Sequence, residues 1–300
     1  MSPHLNFTVL NVFTLSTSTP QSPGGKPLAI VHLQTNTTLT NSQKSSISRN
    51  LGYSETTFLS PPQDGNSIIE IFTEAGNAIP FGGHSTVGTA GYLYHLHPSL
   101  TSLTLHTPSG RVPSTRRTHG ARIEVPGQIP TQLQLQPSSL DITAHLKSLQ
   151  PGIDFVGDAR AEVMAGMTFI LMRVTTENGL EKLRPYPRLT ELPVADNPRF
   201  VGTYFYVLHE EGTRKKVRAR MFFGDEMEDA ASGAAACALA AYLKTSEGLL
   251  KIDVDICQGV EMGCESVFGV SIDPLPGGTG VKVTLEGQSM VTKEGVVDVV

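Results

Sequence analysis

Gly83-His84-Ser85-Thr86-Val87-Gly88-Thr89-Ala90-Gly91-Tyr92-Leu93 is a run of small and apolar residues opened by glycine, and it has a counterpart 150 positions later. The second run reads Gly233-Ala234-Ala235-Ala236-Cys237-Ala238-Leu239-Ala240-Ala241-Tyr242-Leu243. Gly83 meets Gly233, Ala90 meets Ala240, and Tyr92-Leu93 meets Tyr242-Leu243. A helix that is apolar on every side is enclosed. If strands wrap it closely, only Gly, Ala, Ser and Thr leave room. The pair therefore predicts two pseudo-symmetric domains, each a strongly curved, barrel-like sheet around a central apolar helix. The first N–H groups of such a helix have no partner within it. With the positive end of the dipole they form a place for a carboxylate or other anion. Function is expected where the two helix starts face each other.

The rest of the chain fits an α+β class. A length of 300 residues suits two domains. Alternating apolar and polar segments read as strands at 28–34, 67–73, 102–106, 121–125, 168–174, 203–208, 217–223, 250–255, 280–285 and 295–299. Residues 11–27, rich in Ser, Thr, Pro and Gly, read as a surface loop between strands. A short helix is expected at 41–51, capped by Asn41 or Ser42 and stopped by Gly52, with a strand resuming at Ser54. Further helices are expected at 142–149 and 179–183. Pro126, Gly127, Pro130 and Pro137 mark the crossing between domains, placed at 1–127 and 128–300, with the last strand free to cross back.

Composition excludes several classes. A net charge of -5, with 23 Lys and Arg scattered along the chain, argues against a nucleic-acid partner. The short Arg214-Lys215-Lys216 cluster reads as a solvated hairpin turn. No apolar run approaches the ~20 residues of a membrane span, and the first residues do not read as a signal peptide. Three cysteines, Cys237, Cys257 and Cys264, show no CxxC spacing and read as free thiols of a cytoplasmic protein. The nine His form no H-x-x-x-H pair, and Gly24-Gly25-Lys26 lacks the phosphate-loop spacing. Neither a metal nor another cofactor is expected.

Three motifs, in order along the chain, with two weaker echoes, resemble the PhzF-like (phenazine biosynthesis-like) family, which shares the diaminopimelate epimerase fold. Ser54-Glu55-Thr56 follows the short helix. Pro80-Phe81-Gly82-Gly83-His84 opens the first central helix, and Glu228-Asp229-Ala230-Ala231-Ser232-Gly233-Ala234-Ala235 opens the second. Val12-Phe13-Thr14 with Gly25-Lys26-Pro27-Leu28-Ala29 near the start, and Gln258-Gly259 with Met262-Gly263 and Ser266 near the end, are weaker echoes. The chain departs from the family pattern at Lys26 (usually Asn), Asn11 (often Asp), Ala78 (often acidic), Ala234 (Ser) and Cys264 (Arg). These departures bear on the substrate more than on the chemistry.

The resemblance implies a cofactor-independent isomerase or epimerase of secondary metabolism, acting as a homodimer on a small, carboxylated metabolite in the cleft between its domains. Glu55 would move a proton from one carbon to another. Partial burial would raise its basicity, with Tyr53, Phe58 and Leu59 as apolar surroundings. His84, in the first turn of its helix, is expected neutral and hydrogen-bonded to substrate. Asp229 is expected as an N-cap that also holds a substrate amine or hydroxyl, while Glu228 is expected to face solvent. Gly82, Gly83, Ser85, Ser232, Gly233 and Ala234 are the expected substrate-binding positions. The two thiol positions of the related racemases fall on Gly82 and Ala230, so a two-thiol mechanism is not expected. The alternatives are a lyase, by dehydration or decarboxylation through the same enol, and a non-catalytic binding homologue.

Overall fold

The computed structural model describes residues 4–15, 24–35, 37–126, 142–164, 167–186, 200–211, 214–224, 227–277 and 280–299. The expected crossing at 127–139 and residues 16–23 of the expected 11–27 loop lie outside the described residues; the ends of that expected loop are strand instead, β1 reaching Thr14 and β2 starting at Lys26. The chain divides into two compact units. Unit 1 holds Met1–Pro126, Ser266–Phe268 and Thr284–Val300; unit 2 holds Gly127–Glu265 and Gly269–Val283.

Unit 1 contains β1 (His4–Thr14), β2 (Lys26–His32), α1 (Asn41–Leu51), β3 (Glu55–Leu59), β4 (Asn66–Thr73), β5 (Ala78–Ile79), α2 (Gly83–Leu96), β6 (Ser102–Thr107), β7 (Gly110–Arg117) and β8 (Gly120–Glu124). The strands run in the order β1-β2-β3-β4-β6-β7-β8 and then the final strand β16 (Val281–Asp298), which pairs back on β1 and closes a barrel. α2 lies within it, with every side chain from His84 to Tyr94 buried. The small residues are needed for this. A Cβ on Gly88 would come 2.5 Å from Val12 and 2.7 Å from Leu28. Successive strand residues face opposite sides of a sheet. Leu28 therefore faces α2, while Val31, Phe58 and Phe72 face the other way and pack with Ile47 of α1.

The boundaries of α1 match expectation except at its cap. Thr40 is the N-cap instead of Asn41 or Ser42, because its hydroxyl accepts the Gln43 N–H while the Gln43 side chain accepts the Thr40 N–H at 3.0 Å. Gly52 closes the helix with φ of 67°, a conformation that glycine adopts at little cost.

Unit 2 contains α3 (Ile142–Leu149), β9 (Phe155–Met164), β10 (Met167–Val174), α4 (Glu177–Lys182), β11 (Phe200–Glu211), β12 (Arg214–Gly224), β13 (Met227–Asp229), α5 (Gly233–Ser246), β14 (Ile252–Gln258) and β15 (Ser266–Pro274). Its strand order is β15-β14-β12-β11-β10-β9, with β13 on β12. The two units repeat one scheme of pairings. In unit 1, β1–β2 is antiparallel, β2–β3 parallel, β3–β4 and β4–β5 antiparallel, and β4–β6 parallel. In unit 2 the same series runs β9–β10, β10–β11, β11–β12, β12–β13 and β12–β14. Each small-residue helix lies between the short fourth-strand partner and the next parallel strand. α5 packs against β9, β10 and β14. A second core joins Leu146 of α3 and Leu180 of α4 to Met172, Phe205 and Phe222.

Arg214 and Lys215 are not merely solvated. They begin β12 and pair with Asp255 at 2.6 Å and Glu247 at 2.8 Å. Among the described residues no helix is long and apolar enough to cross a membrane.

Candidate active site

Unit 1 assembles three of the expected residues, Gly82, His84 and Ser85, around the Glu55 carboxylate. Glu55 begins β3, paired with Thr73 of β4 and one residue before the Ala29–Thr56 pair that joins β2 to β3, so it shares the face of Leu28. Its side chain points at the start of α2. There its Oε2 accepts a hydrogen bond from the Ser85 hydroxyl and lies 3.4 Å from Nδ1 of His84. A Cβ on Gly82 would collide with the same carboxylate oxygen. The carboxyl keeps 16% of its side-chain surface accessible, against 2% for His84. Burial pushes the Glu55 carboxyl above its ordinary range, opposed by the Lys26 ammonium and the Ser85 hydroxyl. The apolar surroundings differ in part from expectation: Tyr53 and Phe58 belong to the core under α1, Phe58 on the opposite face of β3 from Glu55, while Leu59 shares the face of Glu55.

The N-terminus of α2 explains why a carboxylate can sit there. Its N-cap is Gly82, which offers no side-chain acceptor, and a helix start favours negative charge. The Gly82 carbonyl accepts from both the N–H and the hydroxyl of Thr86, at 2.9 and 2.7 Å. Around this point the backbone is unusually constrained. Phe13 is buried with φ of 67° and stacks on Phe268 at 4.4 Å. Gly25 has φ of 71°, and a Cβ there would lie 2.5 Å from the Val12 carbonyl. The motif residues 12–14 and 25–29 thus fix the entry into β2 and the placement of Lys26, which is 7% exposed.

In unit 2 the remaining expected residues gather at the start of α5. Asp229 ends β13 and is buried, and its Oδ1 accepts the Ala231 N–H at 3.4 Å. It is not the N-cap. That place belongs to Ser232, whose hydroxyl accepts the Ala235 N–H at 3.4 Å. Gly233 is buried and Ala234 half-buried in the first turn. Glu228 does not face solvent. Its carboxylate is bidentate to Arg220, at 2.8 and 2.7 Å, with 10% of its side chain exposed. Arg220 also donates to the Leu180, Glu181 and Leu183 carbonyls at the end of α4. Strand alternation sends residues 228 and 229 to opposite sides, which single-residue reading of an Asp-Glu pair does not resolve.

Gln258 is the residue whose role sequence reasoning missed. Its Oε1 accepts from the Tyr204 hydroxyl at 3.1 Å and the Ser232 N–H at 3.3 Å, and its Nε2 donates to the Asp229 carbonyl at 2.7 Å. It holds the turn between β13 and α5. Gly259 follows with φ of 78°, where a Cβ would lie 2.6 Å from the Ala230 carbonyl. The Gln258-Gly259 echo in the sequence was the available signal. Burial, with Asp229 next in effect, raises the Tyr204 hydroxyl well above the usual phenol range, so it stays a donor.

Two of the three thiols, Cys237 and Cys257, are poorly suited to chemistry. Burial pushes Cys237 up to about 12, and burial raises Cys257 to about 11 despite Arg218, which leaves little thiolate at neutral pH. Among the described residues no group of three or more His, Cys, Asp or Glu is placed to hold a metal ion.

This arrangement has relatives. Residues 12–295 match the phenazine biosynthesis-like protein family, PhzC-PhzF. The trans-2,3-dihydro-3-hydroxyanthranilate isomerase of Pseudomonas aeruginosa is 31% identical over 226 residues, covering 72% of this chain and 74% of that one. Among solved structures, a Bacillus anthracis phenazine biosynthesis protein of the PhzF family superposes with a TM-score of 0.75 at 20% identity, over 98% of this chain and 99% of that one. A hydroxyproline epimerase from Agrobacterium vitis, solved with trans-4-hydroxy-L-proline, has a TM-score of 0.57 at 12% identity, over 98% and 91%. At such identities the last two establish the fold alone.

Proposed function

The chain belongs to the PhzC-PhzF family of phenazine biosynthesis-like isomerases and epimerases, and on that premise we propose a cofactor-independent isomerase that moves a proton between two carbons of a small carboxylated metabolite. Glu55 is the acid and base. The observation that carries this reading is the Glu55 carboxyl itself, enclosed against an uncapped helix start and raised in basicity by burial. A carbon-bound proton is a weak acid, so a base above the ordinary carboxylate range is better matched to it. Ser85 fixes one carboxylate oxygen, and His84 polarises the substrate from the same helix turn. Gly82 leaves the room that the carboxylate needs. In unit 2, Asp229 and the first-turn groups of Ser232, Gly233 and Ala234 are proposed as substrate-binding groups.

The name of the P. aeruginosa relative makes trans-2,3-dihydro-3-hydroxyanthranilate the first compound to try, within a panel of hydroxy, amino and unsaturated carboxylic acids. The test is deuterium incorporation from solvent into substrate or product, followed by proton NMR. Wild type should exchange one carbon position, and Glu55→Gln should abolish exchange while the protein stays folded. Full exchange in Glu55→Gln would remove the assignment.

A further inference from the structure

We propose that Lys26 is the fixed cation of the Glu55 site, its ammonium holding the negative charge first on the Glu55 carboxylate and then, once Glu55 has taken the substrate's proton, on an enolate oxygen. The placement follows from strand register. Leu28 and Glu55 each lie one residue before the paired Ala29 and Thr56 of the parallel β2–β3 ladder, and Leu28 faces α2, where it meets the Gly88 position. Lys26 lies two residues before Leu28 and shares its face. It also pairs with Val12, a second residue that packs against Gly88. Lys26 and Glu55 are thus diagonal neighbours on the inner surface of the barrel, at the end where α2 begins.

Burial makes the pairing consequential. Lys26 is 7% exposed, and lysine is rarely so buried without an anionic partner. The charge of Lys26 acts on Glu55 directly. The entry to β2 is built to hold it there: Gly25 takes a left-handed conformation against the Val12 carbonyl, and the strained Phe13 lies next along β1. The other groups around Glu55 are His84 and Ser85 from α2 and Thr73 from β4. Lys26 is the lysine whose charge opposes the effect of burial on this carboxyl.

The inference deepens the acid–base reading of Glu55 and rests on it. In the transfer, a carbon–hydrogen bond breaks and an oxygen–hydrogen bond forms on Glu55. The electron pair remains on the substrate, and reprotonation at the second carbon returns Glu55 to its carboxylate. The negative charge leaves Glu55 and comes back, while Lys26 stays in place and serves both states. Such a site favours substrates whose carbanion spreads onto an oxygen, which are acids or ketones conjugated to the reacting carbon, over purely hydrocarbon allylic shifts.

The test uses the full chain labelled with 13C at the glutamate carboxyl, the Glu55 signal being assigned by its loss in Glu55→Gln. Titration of that signal needs no substrate. Removing the cation in Lys26→Met should move the Glu55 midpoint to higher pH, and Lys26→Arg should restore it toward wild type. Lys26→Gln serves as a second neutral variant should the methionine variant fold poorly. On the compound that exchanges in wild type, the neutral variants should lose about a hundredfold in exchange rate, the usual cost of one donor to a developing oxyanion. A Glu55 midpoint unmoved in both neutral variants overturns the proposal whatever their activity. A moved midpoint in a protein whose Glu55→Gln variant exchanges normally overturns instead the acid–base reading, and with it the enolate role.

Discussion

Gly82→Ala isolates the chemistry of the site from the stability of the fold. Gly82 has φ of -137° and ψ of 119°, which alanine adopts without strain. The loss of glycine at an N-cap costs roughly 1 kcal/mol or less, which corresponds to a Tm drop of about 2–4 °C for a domain of this size. The new methyl, however, would sit 3.1 Å from the Glu55 Cδ and would overlap its Oε2. Carbon atoms prefer contacts of about 3.5–4.0 Å, so the carboxylate must withdraw by about 1 Å and give up the Ser85 hydroxyl. A misplacement of about 1 Å in a reacting group costs on the order of a hundredfold in rate, or about 2.7 kcal/mol on the barrier. Solvent-deuterium exchange, measured beside thermal unfolding, should then show a hundredfold loss with a Tm within about 4 °C of wild type. Exchange within threefold of wild type would refute the argument, since it would mean the carboxylate does its work from somewhere other than the Gly82 cradle.

Gly88→Ala should behave in the opposite way: its methyl meets Val12 and Leu28 inside the barrel, so stability should fall by about 1–3 kcal/mol, read as a lower urea midpoint with an unchanged slope. Arg220→Met strands the Glu228 carboxylate, 10% exposed, and should cost about 3–5 kcal/mol in urea unfolding; a loss under about 1 kcal/mol would mean that Glu228 finds water or takes up a proton easily. The pH dependence of stability carries the sign of Glu55. Because burial raises its folded pKa above the unfolded value, its contribution is most favourable below the ordinary carboxylate range and is lost as pH rises through the folded pKa. Glu55→Gln should therefore be more stable than wild type at pH 8, and the difference should close near pH 4. Urea titrations at the two pH values check this, and an equal difference at both would contradict the buried-carboxyl assignment. Glu286 has the reverse sign: burial alone would raise it, but Arg122 and Arg117 hold it below its ordinary range, so its contribution is present at neutral pH and disappears on acidification.

Most of the fold was legible because helix enclosure and strand alternation leave strong patterns. The starts of α2 and α5 fall where glycine opens each small-residue run, and α1 and α3 occupy the expected positions. What escaped were strands whose exposed face offers no contrast. β7 reads Gly-Arg-Val-Pro-Ser-Thr-Arg-Arg, with only Val112 and Ser114 buried in the middle of it, and a proline within a run demotes a strand on sequence grounds. The caps were misassigned for a different reason. Asn41, Ser42 and Thr40 are all acceptable caps by type, and Gln43 decides among them only through a side chain that reaches back to residue 40. At the site, Glu55, His84 and Asp229 were visible through motif resemblance. The bidentate Arg220–Glu228 pair and the Gln258 clasp were not, because they join residues 8 and 26–54 positions apart whose contact depends on strand order.

The repeated pairing scheme makes the differences between the two helix starts informative. α5 begins as soluble helices commonly do, with a serine at the N-cap, and Asp229 lies three residues before it. α2 begins with no side-chain cap, and the carboxylate that comes to its first turn is carried by β3, a different element. A capping side chain at residue 82 would occupy the space into which Glu55 projects. A glycine in place of a Ser or Asp cap costs α2 only about a few tenths of a kcal/mol. Enclosure of its apolar side chains in the barrel offsets that cost, since helical stability in proteins comes mainly from such packing. The glycines of the motif thus divide by purpose. Gly88 and Gly91 bring the helix close to the barrel wall, and Gly25 turns the chain into Lys26. Gly82 alone gives its room to a carboxylate, and that carboxylate, raised in proton affinity by burial, is the group on which the proposed proton transfer from carbon rests.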